Sequence, residues 1–260
     1  MHNGQERLLT FSCWRLCKAV TECRHLRVVW LINLPREQAE LCNTLESVAN
    51  VFQGLGCLPG DYHIEVDPDV RPAQHMPRNV PVAVQQELRQ RLQELENMKI
   101  LSPMKEPTKW INSMVIVKKP NKLRICPDLK DLRKAIKRPH YPIPTIDHIL
   151  PQLSKAKVFS VLDAEDGFWQ VKLDELSSYL TTVWTPFGRY TWLRMMFGIS
   201  SAPEEFQRRQ HEITEGLQVV SSLLTIFWFM DVAIQKQKPS LITIRTCFNL
   251  LTRAREKFKI

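Results

Sequence analysis

The segment 82–101, VAVQQELRQRLQELENMKIL, repeats its apolar residues at helical spacing. Val84, Leu88, Leu92 and Leu95 form one stripe, with Gln, Arg and Glu opposite, and Pro103 and Pro107 beyond it are the expected stop. Upstream, 35–52 opens on a Pro and sets Leu41, Leu45 and Val48 on one face, predicting another helix. Between them, 54–81 is punctuated by Gly, Pro and Asp. It predicts a connecting arm laid over a surface, with a short extended piece near 63–66. Residues 1–33 show no clear period and take no assignment.

Downstream the period shortens towards two. SMVIVKKPNKLRICPDL, 113–129, predicts a hairpin around KPNK, its tip carrying Lys118, Lys119, Lys122 and Arg124. Residues 138–153 predict a Pro-stiffened entry to a short helix with Thr145 as N-cap. KVFSVLDAEDGFWQVKL, 157–173, alternates, so Phe159, Val161 and Asp163 share one face and Ser160 and Leu162 the other. Another hairpin is expected over 179–195, turning at Pro186–Gly188. A helix over 200–217 would open on a Ser201/Glu204 capping box and turn Phe206, Ile213 and Leu217 inward. The run 223–234 reads as an apolar strand or hairpin interrupted by Asp231, and 241–260 as a basic helix.

At 260 residues, with 44% apolar and 24% charged positions, the chain can bury a sizeable core, and neither repeats nor low-complexity tracts interrupt it. Its net charge of +9 is localised: between 99 and 138 there are twelve Lys and Arg against three Asp and Glu, and the rest balances to zero. A basic block on a neutral body suits a polyanion partner, or a solvated basic face. Seven cysteines without a secretory leader point to reduced thiols in an intracellular setting, cytoplasmic or nuclear rather than secreted. Cys13, Cys17, Cys23 and His25 fit none of the common zinc-finger spacings. The apolar run around Asp231 is shorter than the roughly 20 residues a membrane span needs.

Two acids stand out against this background. Asp163 in FSVLDAEDGFW and Asp231 in FWFMDVAI each sit in an apolar, strand-like run. A carboxylate there is costly unless it is paired or binds a cation. Two of them on adjacent strands would suit hard divalent metal, and two metals about 3.5–4 Å apart can activate a hydroxyl and steady a leaving pyrophosphate. Capping a turn or pairing with an Arg is the simpler use of each.

KVFSVLDAEDGFWQVKLDE followed by TTVWTPFGRYTWLRMMFGISSAPEEFQRRQHEI resembles the palm of a reverse transcriptase of the Ty3/gypsy class of LTR retrotransposons. HIEVDPDVRPAQHMPRNVP, MVIVKKPNKLRICPDLKDLRKAI and HYPIPTIDHIL resemble the same family's lead-in and fingers, in the same order, so the likeness runs from about residue 45 to the end. It implies an α+β right-hand polymerase fold, with an unassigned 1–33, a lead-in helix and arm over 34–81, and fingers and palm over 82–260. It implies an RNA-directed DNA polymerase acting on a primer–template and deoxynucleoside triphosphates with two Mg²⁺ or Mn²⁺ ions. Asp163 matches the first catalytic aspartate and metal ligand, and Asp231 the first aspartate of the family's aromatic-x-Asp-Asp hairpin. Phe168 matches the aromatic gate against a 2′-hydroxyl, with Asp166 and Gly167 in the same nucleotide pocket. Lys122 and Arg124 match the fingers positions that hold the triphosphate, and Phe197 and Gly198 the loop beneath the nucleotide.

The chain departs from the family where Val232 stands for the second hairpin aspartate, since valine offers no lone pair to a cation. Pro127 replaces a β-branched residue, Arg133 an Asn and Met196 a Pro. No counterpart of the family's thumb or RNase H domain is expected, and the resemblance therefore implies an impaired polymerase. The alternatives are a nucleic-acid-binding module without chemistry, or a retroelement remnant.

Overall fold

The computed structural model describes residues 26–29, 54–119, 122–153, 158–164, 166–215, 220–224 and 226–231. The expected helices at 35–52 and 241–260, the 13–25 cysteine and histidine set and Val232 lie outside them. In chain order the elements are β1 (Leu26–Val29), α1 (Val82–Asn97), β2 (Leu101–Met104), β3 (Ser113–Lys119) and β4 (Lys122–Asp128). Then follow α2 (Leu132–Ala135), α3 (Ile146–Leu153), β5 (Val158–Ala164) and, after a 3-10 turn at Gly167–Gln170, α4 (Glu175–Leu180). Strands β6 (Val183–Thr185) and β7 (Gly188–Trp192), helix α5 (Ala202–Thr214), and strands β8 (Val220–Leu223) and β9 (Ile226–Asp231) complete the set. Among the described residues three sheets result: four-stranded β1-β5-β9-β8, three-stranded β2-β7-β6 and two-stranded β3-β4, every named pair antiparallel.

Helix α1 buries Leu88, Leu92 and Leu95 as its period predicts, but it stops at Asn97, before the prolines. Lys99 takes a left-handed φ of 55°, which turns the chain so that Ile100 and Leu101 enter the core and Leu101 pairs with Trp192. Pro103 lies inside β2, an edge strand, where a missing N–H is tolerated. The hairpin of β3 and β4 pairs throughout, Lys119 opposite Lys122 and Val117 opposite Arg124. Pro127 is accommodated because a two-stranded sheet leaves one side of each strand unpaired.

Two local expectations give way to tertiary contacts. Helix α5 begins at Ala202, yet Ser201 makes no side-chain cap. Its hydroxyl accepts instead from the Tyr62 hydroxyl at 2.7 Å, and Glu204 accepts two N–H bonds from Arg138 at 3.0 and 2.6 Å. A guanidinium outcompetes a neutral backbone amide for a carboxylate. Thr145 meets the His148 ring through both its N–H and its hydroxyl, rather than capping α3 by itself. Helix α4 has no counterpart in the periodicity; Asp174 caps it by accepting from Ser177 N–H at 2.8 Å.

The 54–81 segment is a strap rather than a surface arm. Leu58 and Ile64 are buried, and Leu58, Val66 and Tyr62 pack in one core with α1, Trp192 and Phe206. On one side Tyr62 exchanges backbone bonds with Lys172 and Asp174, and His63 meets Asp174 at 2.6 Å. On the other, Asp67 N–H donates to Ala135, His75 reaches Asp131 at 2.9 Å, and Arg78 pairs with Asp128. Among the described residues no helix is long and apolar enough to cross a membrane.

Candidate nucleotide-binding cleft and the palm aspartates

A cavity of about 200 Å³ opens between the β3–β4 hairpin and the body of the molecule, lined among others by Arg91, Arg124, Asp166, Trp169, Trp192 and Phe197. Strand β4 delivers Arg124, exposed, from one wall. Lys122, two positions earlier, opens the same strand and pairs with Lys119. The opposite wall comes from the turn after β5. Asp166 sits at φ 54°, the left-handed conformation that an aspartate tolerates, and its carbonyl accepts from Trp169 N–H as the 3-10 turn begins. Gly167, Phe168 and Trp169 are thereby buried.

Phe197, half exposed, forms the aromatic edge of this cleft. The Arg124 guanidinium carbon lies 6.0 Å from its ring centroid, and the Phe168 ring meets it edge-on at 4.9 Å. Phe168 also packs edge-on against Phe206 at 5.3 Å, so α5 supports the wall. Gly198 has φ +101°, a region closed to side-chain-bearing residues, and so allows the loop to turn with Phe197 outward. The structure thus brings Arg124, Asp166, Gly167, Phe168, Phe197 and Gly198 to one place. Phe168 is only 8% exposed, a supporting ring more than an open gate. Arg91, Trp169 and Trp192 were not singled out by sequence; Arg91 reads there as part of a solvated helix face, and only the approach of β4 turns it into a wall.

The two aspartates are placed differently. Asp163 is opposite Ile226 on β9 and Arg27 on β1, whereas Asp231 is opposite Val158. Five residues of register separate them, about 17 Å along the ladder at 3.4 Å per residue. The reason is where the apolar run turns: it folds back between Leu223 and Ile226, which pair with one another, and Asp231 ends the far side. The position beside Asp163 is thus taken by Ile226 and the preceding turn. A two-ion site built from Asp163 and Asp231 does not fit this ladder. Among the described residues no group of three or more His, Cys, Asp or Glu converges as metal ligands do.

A basic two-stranded hairpin set over an antiparallel sheet, with an aromatic and arginine-lined cleft between, is the fingers-and-palm arrangement of a right-hand polymerase. Residues 116–254 match the family "Reverse transcriptase (RNA-dependent DNA polymerase)", more than half of the chain, and the chain belongs to that family. Over 140 residues it is 36% identical to the retrovirus-related Pol polyprotein from transposon 297 of Drosophila melanogaster, covering 50% of this chain and 13% of that protein. Over 146 residues it is 34% identical to the Pol polyprotein from transposon 412 of the same species, covering 54% and 12%. Uncharacterized protein K02A2.6 of Caenorhabditis elegans is 31% identical over 180 residues, covering 67% and 14%. The chain therefore spans a small part of these relatives' length.

The fold is shared with the foamy viral protease-reverse transcriptase in complex with RNA/DNA hybrid, with a TM-score of 0.75 at 18% identity. That superposition covers 97% of this chain and 34% of the other. The same enzyme in complex with double-stranded DNA gives 0.71 at 18% identity, covering 91% and 48%.

Proposed function

We propose that this chain is the fingers-and-palm part of a retrotransposon RNA-directed DNA polymerase that binds primer–template and deoxynucleoside triphosphate but is impaired in nucleotidyl transfer. The observation that carries the binding half is the convergence of Arg124, Phe197, Phe168 and Asp166 on one cleft. A planar guanidinium suits triphosphate oxygens, and flat rings suit a base or sugar face. Lys122 adds charge to the hairpin at the start of β4, Gly198 lets the loop beneath the nucleotide turn, and Gly167 lies beside Asp166 at the start of the 3-10 turn. The basic 99–138 segment supplies phosphate contacts for the template, whose hybrid form is supported by the foamy viral neighbour solved with RNA/DNA hybrid. Mg²⁺ or Mn²⁺ is the family's expected cofactor. Asp163 stands next to the C-terminal end of β5, and with Asp231 five residues out of register the donor set does not suit a two-ion centre. Val232 in place of a second aspartate compounds that deficit. Binding without transfer is accordingly the second reading.

Primer–template binding by anisotropy at several salt concentrations, followed by primer extension with Mg²⁺ and Mn²⁺, tests both halves. Several phosphate contacts should give a steep linear fall of log affinity with log salt. Extension by the natural chain is expected to be at or near background, and Val232→Asp alone is expected to leave it there. Robust extension that Asp163→Asn abolishes would show the transfer site to be intact. Salt-insensitive or absent binding would remove the polymerase-like reading altogether.

A further inference from the structure

The β8–β9 hairpin turns without the residues that make tight turns. Its tip reads Leu223, Leu224, Thr225, Ile226, with no Gly, Asn, Asp or Pro. Leu224 nevertheless takes φ 52°, a left-handed conformation that a branched apolar residue adopts only when something outside the turn enforces it.

That something is one side chain of α5. Gln207 is fully buried and spends its whole amide on the turn. Its Oε1 accepts from Leu224 N–H at 2.8 Å; its Nε2 donates to Ser222 C=O at 3.1 Å and to the Ser222 hydroxyl at 3.3 Å. Three bonds from one rigid group grip the chain on both sides of Leu223. Gln210, three residues further along α5, is equally buried, yet neither of its amide atoms has a partner among the described residues. Burial of a glutamine on this helix therefore does not by itself produce such a grip.

We infer that Gln207 is the positioning residue that sets the turn, and hence the register, of the β8–β9 hairpin. Register matters because a one-residue slip would send every side chain of β9 to the opposite face. With the turn clamped, Leu223 pairs with Ile226, Ile226 lies opposite Asp163, and Asp231 lies opposite Val158. A buried amide thus decides which residues of the hairpin stand beside Asp163, and keeps the hairpin's own acid at the far end. The inference rests on the fold and holds whether or not the chain turns over nucleotide.

Amide hydrogen exchange of the full chain, followed by NMR at neutral pH, tests it. In Gln207→Leu the Leu224 amide should exchange about tenfold faster or more, the loss expected for one buried bond that opens locally. In Gln210→Leu, which removes a buried amide that does not touch the turn, Leu224 should stay close to the natural rate. Adding Leu224→Gly to Gln207→Leu should restore protection along β9, because glycine adopts the left-handed turn unaided. Amides of β7, in another sheet, should not change. Unchanged Leu224 exchange in Gln207→Leu, or an equal loss in Gln210→Leu, overturns the inference. Should Gln207→Leu fail to fold, the double variant decides: a folded chain supports the clamp and an unfolded one refutes it.

Discussion

Single residues at the cleft owe their roles to backbone conformation and to one neighbour each. Gly198 is required by its φ of +101° and not by lack of room, since a Cβ there would meet Leu129 at an ordinary 3.7 Å. Gly198→Ala should therefore lower stability by about 1–3 kcal/mol through backbone strain, read as a shift in the urea midpoint without a change in slope. Arg124 is exposed and stacks near Phe197. Arg124→Ala should weaken triphosphate binding by at least about tenfold in a titration of the full chain, as expected for loss of a charge-assisted contact. Arg124→Lys should recover only part of it, because a point charge cannot make two parallel bonds. The sequence motifs name these residues directly, but Phe168 meets Phe197 and Phe206 across 29 and 38 positions, which no local pattern encodes.

Among the elements, α5 holds its surroundings largely through polar residues. Glu205 and Arg209 are both nearly fully buried and paired at 2.6 Å, and Arg209 also donates to the carbonyls of Pro59 and Gly60. Burial pushes the Glu205 carboxyl up, but hydrogen bonds from Arg208 and Arg209 more than offset it and hold it below the ordinary 4.5. A group lowered in the folded state contributes stability above its unfolded value and loses it as pH falls through the folded one. Stability should thus decline below about pH 4.5, and Glu205→Gln should flatten that acid limb. The same variant strands a buried guanidinium and should cost about 3–5 kcal/mol at neutral pH by denaturant titration. Period analysis finds this helix through its acidic first turn and Phe206, but assigns Glu204 to a cap that Arg138 takes instead. The buried face of α1, by contrast, is legible, because Leu88, Leu92 and Leu95 recur at its own period, although its end at Asn97 is not.

At the scale of the whole molecule, the strap formed by 54–81 joins palm to fingers. It pairs with Lys172 and Asp174 on one side and with Ala135, Asp131 and Asp128 on the other. A chain beginning at residue 82 should lose its sharp thermal transition, since it gives up the buried Leu58 and Ile64 and the Arg209 carbonyl partners together. Circular dichroism in the near ultraviolet checks this. The basic block of the sequence is also partly neutralised in the fold, through Lys118 with Glu87, Lys137 with Glu65 and Arg138 with Glu204. The number of phosphates contacted should accordingly fall short of the twelve cations counted between 99 and 138.

Among the described residues, the amino-acid sequence by itself determined the inner face of α1, the hairpins within 113–129 and 179–195 and α5, and along the chain the localised charge and the family motifs, because each depends on residues within a few positions of one another. Only the tertiary structure decided the ends of those elements, the strap's two attachments, the ion pairs of α5 and the turn that parts Asp163 from Asp231. Each of these is a competition between a local preference and a partner far away in the chain: Arg138 against a helix cap, Gln207 against an apolar turn. The winner is set by burial and charge at the contact, which one-dimensional spacing does not contain.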